Sequence, residues 1–119
     1  ELGGAQPHPD YPWDGQTLAP LLHDAAWTGA ADRPLFWRMN HRGQRAMRHG
    51  DWKYLQVDGV DYLFNLAQDE RERANLAPLQ PTRLAKMVQA WEAWEATMPA
   101  IPGDATVSLC YTDKDMPAR

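Results

Sequence analysis

The densest set of groups able to do chemistry is Asn40-His41-Arg42-Gly43-Gln44-Arg45. Guanidinium, imidazole and amide donors are concentrated there around a glycine. That is the composition of a hairpin tip, where loops commonly carry function. Arginines so placed can grip an anionic group through paired hydrogen bonds. An ordinary solvated turn has the same composition and is the simpler reading from local chemistry alone.

A catalytic centre needs a reactive group, a partner that tunes it, and a device that stabilises developing charge. No HExxH, P-loop, GxGxxG or GxSxG pattern is present. His8, His23, His41 and His49 are scattered, with no i, i+4 helical pair that would suit zinc. Ser108 is the only serine and no motif surrounds it. The single cysteine, Cys110, excludes an internal disulfide and a CxxC metal site. The carboxylates fall in turns, caps or an exposed helix face, so no acid/base pair can be assigned. The residues therefore nominate no catalytic and no metal-binding position.

The chain has 119 residues, which suits one domain. Twelve basic and sixteen acidic residues give a net charge of −4, with both signs mixed. That excludes the basic footprint of a nucleic-acid binder. No apolar run approaches the ~20 residues that span a bilayer. No signal peptide is visible, and the chain begins with Glu1 and not Met, so an upstream part is expected to have been removed. Ten Pro and eight Gly predict many turns, and six Trp are the expected core builders.

The elements that must position the 40–45 turn are an α+β set. Residues 1–33 read as an irregular lead-in with a short helix over 18–25. Thr17 would cap it, Pro20 would fall in its first turn, and Leu18, Leu21 and Leu22 would face inward. Residues 34–66 read as a four-stranded antiparallel meander. Leu35–Met39 is aromatic-rich, Asn40–Gly43 turns, and Gln44–Arg48 pairs back. His49-Gly50-Asp51 turns again, with Trp52 and Tyr54 on one face of the next strand and Leu55 and Val57 on the other. Asp58-Gly59 is a strong hairpin signal, because a tight turn wants positive φ at both central residues. Tyr62–Leu66 closes the sheet.

Asp69 and Glu72 have capping-box spacing and predict one helical turn ending near Asn75, its charges solvated and Leu76 inward. A C-terminal helix starting at Pro81 covers the sheet. Leu84, Met87, Val88, Trp91, Trp94 and Met98 share one helical face, while Arg83, Lys86, Gln89, Glu92 and Glu95 lie between them toward water. The sheet and helix fill 34–98. Residues 99–119 are a tail in which Val107–Tyr111 is a further candidate strand.

Several segments, in order, resemble the C-terminal part of a sulfatase of the arylsulfatase type. They are Asp14–Leu22, Arg33–Trp37, Arg45–Leu55, Tyr62–Leu66 and Asp69–Leu76. The resemblance covers about residues 3–98. It implies a small C-terminal subdomain, a four-stranded antiparallel sheet packed by a helix, beside a large N-terminal catalytic domain. The parent would hydrolyse sulfate esters with a formylglycine, made from Cys or Ser, and a divalent cation, usually calcium. The hydrated aldehyde attacks sulfur while the metal stabilises charge on the sulfate oxygens.

Those groups belong to the N-terminal domain. The family's modification motif places Pro or Ala two residues after the Cys or Ser and Arg four after it. Cys110 is followed by Thr112 and Lys114 and fails at both. No cofactor is therefore expected in this chain. The resemblance implies that the subdomain packs beside the active-site cleft, which makes His41, Arg42 and Arg45 candidate substrate contacts. The expected partners are the N-terminal catalytic domain of the same protein and, through it, a sulfate ester. Nucleic acid and membrane are not expected. An uncovered face would also offer a surface for self-association. The alternative is a free-standing protein-interaction module with no enzymatic role, docking through a sheet edge or a Trp-rich surface.

Overall fold

The computed structural model describes residues 3–4, 6, 8–11, 15–27, 29 and 33–105. The chain divides into two compact units, Glu1–Arg33 and Pro34–Arg119. The candidate strand at Val107–Tyr111, with Cys110, lies outside the described residues.

In the first unit, helix α1 spans Ala19–His23. It is shorter than the expected 18–25. Asp24 ends it by taking an extended backbone, φ −141° and ψ 105°. Its Oδ1 then accepts the Ala26 N–H at 2.9 Å, an Asx-turn that competes with further helix. Leu18 holds the cap position, and Thr17 Oγ1 accepts the Ala19 N–H at 3.1 Å. The leucines are not inward: Leu18, Leu21 and Leu22 are 55%, 41% and 68% exposed. So short a helix buries no residue, and among the described residues none of the core comes from this unit.

The second unit is a four-stranded antiparallel sheet in the order β1-β2-β3-β4, with a helix α2 against it. The strands are β1 (Leu35–Met39), β2 (Gln44–His49), β3 (Trp52–Val57) and β4 (Val60–Asn65). The register pairs Trp37 with Ala46, Met47 with Tyr54, and Tyr54 with Leu63. Asp58 and Gly59 both take positive φ, 51° and 76°, as a tight hairpin with the sheet's right-handed twist requires. Helix α2 spans Pro81–Glu95 with Pro in its first turn, where the missing N–H has no partner to lose.

The main core cluster lies between one sheet face and α2, while Val57, Tyr62 and Phe64 are buried on the opposite face. Met47, Tyr54, Leu63, Ala77, Met87 and Trp91 form the cluster, with Phe36, Trp52, Leu84, Val88 and Trp94 packed around them. Phe36 and Trp94 stack with centroids 5.2 Å apart. Trp91 is 2% exposed, so its ring builds the core. Met98, expected on the same stripe, falls beyond the helix and is 37% exposed. The chain leaves the helix through Thr97 and Met98, whose N–H groups bond to Trp94 and Glu95 carbonyls.

Between β4 and α2 one turn closes, the Glu72 N–H bonding to the Asp69 carbonyl at 3.2 Å, but no helix runs on toward Asn75. Glu72 has φ 55°, incompatible with a right-handed helix. Its carboxylate leaves the local chain and accepts from Lys53 Nζ, with both oxygens at 2.7 Å. Asp69 Oδ2 instead accepts the Ala74 N–H at 2.7 Å. The charge run is thus partly engaged, not simply solvated. Asn75 then runs along the outer edge of β4: Oδ1 accepts the Leu63 N–H at 3.1 Å and Nδ2 donates to the Asp61 carbonyl at 3.2 Å. The Leu76 N–H adds a bond to the Leu63 carbonyl at 2.8 Å. A strand edge that would otherwise invite another chain is covered in this way. Leu76 packs against the core.

Candidate functional site

The 40–43 turn and the Asp58-Gly59 turn lie at the same end of the sheet, because three antiparallel connections alternate ends. His41–Gly43 forms one 3-10 turn. Asn40 keeps φ −68°, and it is Arg42 (φ 55°) and Gly43 (φ 57°) that turn left-handed. A left-handed arginine needs support, and Asp58 supplies it. Arg42 Nε and one terminal nitrogen donate to Asp58 Oδ2 at 2.8 and 2.5 Å, and the Asp58 N–H bonds to the Arg42 carbonyl at 2.9 Å. Arg42 therefore ties the two turns together.

Arg45 sits at the start of β2 and reaches the helix side of the sheet. Its guanidinium carbon lies 4.7 Å from the centroid of Trp91, within cation–π range. The Trp91 Nε1–H donates to the Trp37 carbonyl at 3.0 Å, which fixes the ring under Arg45. Beside them Arg38 approaches Glu95 at 3.9 Å and also donates to the Pro99 carbonyl, while Asn40 donates to the Ala105 carbonyl. A hollow of about 160 Å³ opens among Arg38, Asn40, Gln44, Arg45, Trp91 and Glu95. Of the three sequence candidates, Arg45 lines this hollow, Arg42 is directed at Asp58, and His41 stands on the turn between strands.

A part-buried polar network lies next to it. Tyr54 is fully buried, and its hydroxyl donates to Asp61 Oδ1 at 3.1 Å, where the Gln56 amide also donates at 2.6 Å. Burial, and then the Asp61 carboxylate, push the Tyr54 phenol well above its ordinary range. The hydroxyl is therefore held as a donor at neutral pH and is no candidate base.

A larger concavity, about 390 Å³, lies at the other end of the sheet, against the first turns of α2. Met47, Met87 and Ala90 form its floor, and His49, Trp52, Gln80, Thr82, Arg83 and Lys86 its walls. The Arg83 guanidinium carbon lies 4.1 Å from the Trp52 ring centroid. This groove was not visible in the sequence. Its only signal is Arg83 and Lys86 at i, i+3 on one helix, which reads as a water-facing surface.

Among the described residues, no group of three or more His, Cys, Asp or Glu could hold a metal ion. No described helix is long and apolar enough to cross a membrane.

No protein-family model matches the chain, and no curated protein matches it. Among solved structures, the fold resembles that of Ps i-CgsB, crystallised in complex with k-i-k-neocarrahexaose. The TM-score is 0.68 at 26% identity, over 78% of this chain and 21% of that one. The chain thus spans about a fifth of the length of that protein. The likeness supports a sulfatase-like fold.

Proposed function

We propose that the chain is the non-catalytic C-terminal subdomain of a sulfatase of the arylsulfatase type, which stabilises the catalytic domain and shapes its substrate pocket. The observation that carries this reading is the likeness of the chain, over 78% of its length, to 21% of Ps i-CgsB. The ordered sequence segments from Asp14 to Leu76 point the same way. In this reading the parent hydrolyses sulfate esters with formylglycine and calcium, both held by the N-terminal catalytic domain. That domain is the partner. An apolar strip suits its docking: Trp37, Ala46 and Leu55 are paired across three strands on the face away from α2, and Trp37 is 52% exposed. The same strip would serve self-association or a free-standing interaction module. His41, Arg42 and Arg45 are the proposed substrate contacts, with Arg45 best supported because it lines the hollow beside the turn.

The test is turnover of 4-nitrophenyl sulfate with calcium, by this chain and by the longer protein containing it. The chain alone should be inactive and the longer protein active. Turnover by the chain alone, or an inactive longer protein carrying its formylglycine, would overturn the proposal.

A further inference from the structure

We infer that the groove between the β2–β3 end of the sheet and α2 is a second, non-catalytic binding site for an organic ester of a tetrahedral oxyanion. Charge sets this groove apart. The chain as a whole is acidic, at −4, yet the groove is lined by Arg83 and Lys86 and by no carboxylate. Among the described residues, no carboxylate pairs with Arg83 or Lys86. Their charges therefore act on the groove without an internal counter-ion.

Geometry makes Arg83 the organising donor. With its guanidinium over the Trp52 ring at 4.1 Å, the plane of the fork is steadied by the indole. A guanidinium held face-on to a ring keeps its N–H edge for in-plane hydrogen bonds, the arrangement that suits a two-point grip on an oxyanion. Lys86, one turn further along α2, adds a mobile point charge, and Thr82 offers a hydroxyl.

Size and floor define the rest of the ligand. About 390 Å³ is far more than a lone oxyanion fills and lies within the range of small-molecule sites. Met47 and Met87 are both buried at the floor. Thioethers adapt to irregular apolar bodies and make favourable contacts with aromatic rings. An aryl ester, oxyanion at Arg83 and Lys86 and ring over the methionines, matches each wall. The site itself stands on this geometry; the choice of sulfate over phosphate as the natural oxyanion rests on the sulfatase reading above.

Isothermal titration calorimetry on this chain tests the site with 4-nitrophenyl sulfate, 4-nitrophenyl phosphate and uncharged 4-nitroanisole. Saturable binding of one or both anionic esters is expected, weakening as salt rises, with none for 4-nitroanisole. Arg83→Gln and Lys86→Gln should each lower affinity roughly tenfold, as for a lost charge-assisted hydrogen bond, with an unchanged circular dichroism spectrum. Arg71→Gln, exposed elsewhere, should bind like the parent chain. Tighter binding of the sulfate ester identifies the source of the oxyanion as sulfate, and tighter binding of the phosphate ester as phosphate. No binding of either anion, equal binding of 4-nitroanisole, or unchanged affinity in both variants would overturn the site. None of those results bears on whether a catalytic domain precedes the chain, so the two readings fail separately.

Discussion

Trp91 is clamped from two directions: Arg45 lies 4.7 Å above its ring, and its indole N–H donates to the Trp37 carbonyl on β1 at 3.0 Å. One residue thus joins α2 to the sheet and sets the position of an arginine beside the 40–43 turn. Trp91→Ala removes the largest fully buried side chain of the core and leaves the Trp37 carbonyl without this donor. A loss of ~3–5 kcal/mol in urea unfolding is expected. A shift near zero would show that α2 is not held through this ring.

Glu72 separates backbone strain from ion pairing. Its φ of 55° is costly for any residue with a Cβ, and its carboxylate holds Lys53. Glu72→Ala loses the pair and keeps the strain. Glu72→Gly loses the pair and relieves the strain. The glycine variant should therefore be the more stable of the two by ~1 kcal/mol. The reverse order in chemical denaturation would mean that the loop relaxes to another conformation when Lys53 is released.

The two turns at the 40–45 end differ in how far the sequence exposes them. Asp58-Gly59 is legible because its geometry demands residues that accept positive φ, and both do. The α2 stripe is legible because helical periodicity places Leu84, Met87, Val88 and Trp91 on one face. Glu72 misleads, since its capping-box spacing is local while its partner, Lys53, is 19 residues away. Leu21 and Leu22 mislead for a similar reason: apolar spacing marks a face but supplies no core to cover it. At the site, the pairing of Arg42 with Asp58 crosses 16 residues, and the Arg83 groove needs β2, β3 and α2 together. Neither has a signature within a single segment.

Tyr54 should give the fold an alkaline limit. Its folded-state pKa is raised above the unfolded value of about 10. Above that pH the unfolded chain loses the phenolic proton while the folded chain keeps it, so stability falls as pH rises. The contribution is fully present below pH ~10 and is lost as the pH climbs toward the folded value. Tyr54→Phe should flatten the decline between roughly pH 10 and 11.5 relative to the unsubstituted chain. Parallel declines would show that the phenol ionises alike in both states.

His41 distinguishes a substrate contact from an ordinary turn. In the longer protein that contains this chain, His41→Ala should raise KM for a sulfate ester, with a smaller effect on the melting temperature. Unchanged kinetics would make the turn a structural connection only. An equal fall in stability and activity would have the same meaning.

The central claim is that this sheet and helix are the C-terminal companion of a sulfatase catalytic domain. The most direct measurement is the DNA sequence immediately upstream of the Glu1 codon. The account predicts an open reading frame continuous with this chain, encoding Cys or Ser followed by Pro or Ala two residues on and Arg four on, together with an Asp/Asn metal cluster. A start codon directly before Glu1, with no such frame, would contradict it and favour a free-standing interaction module.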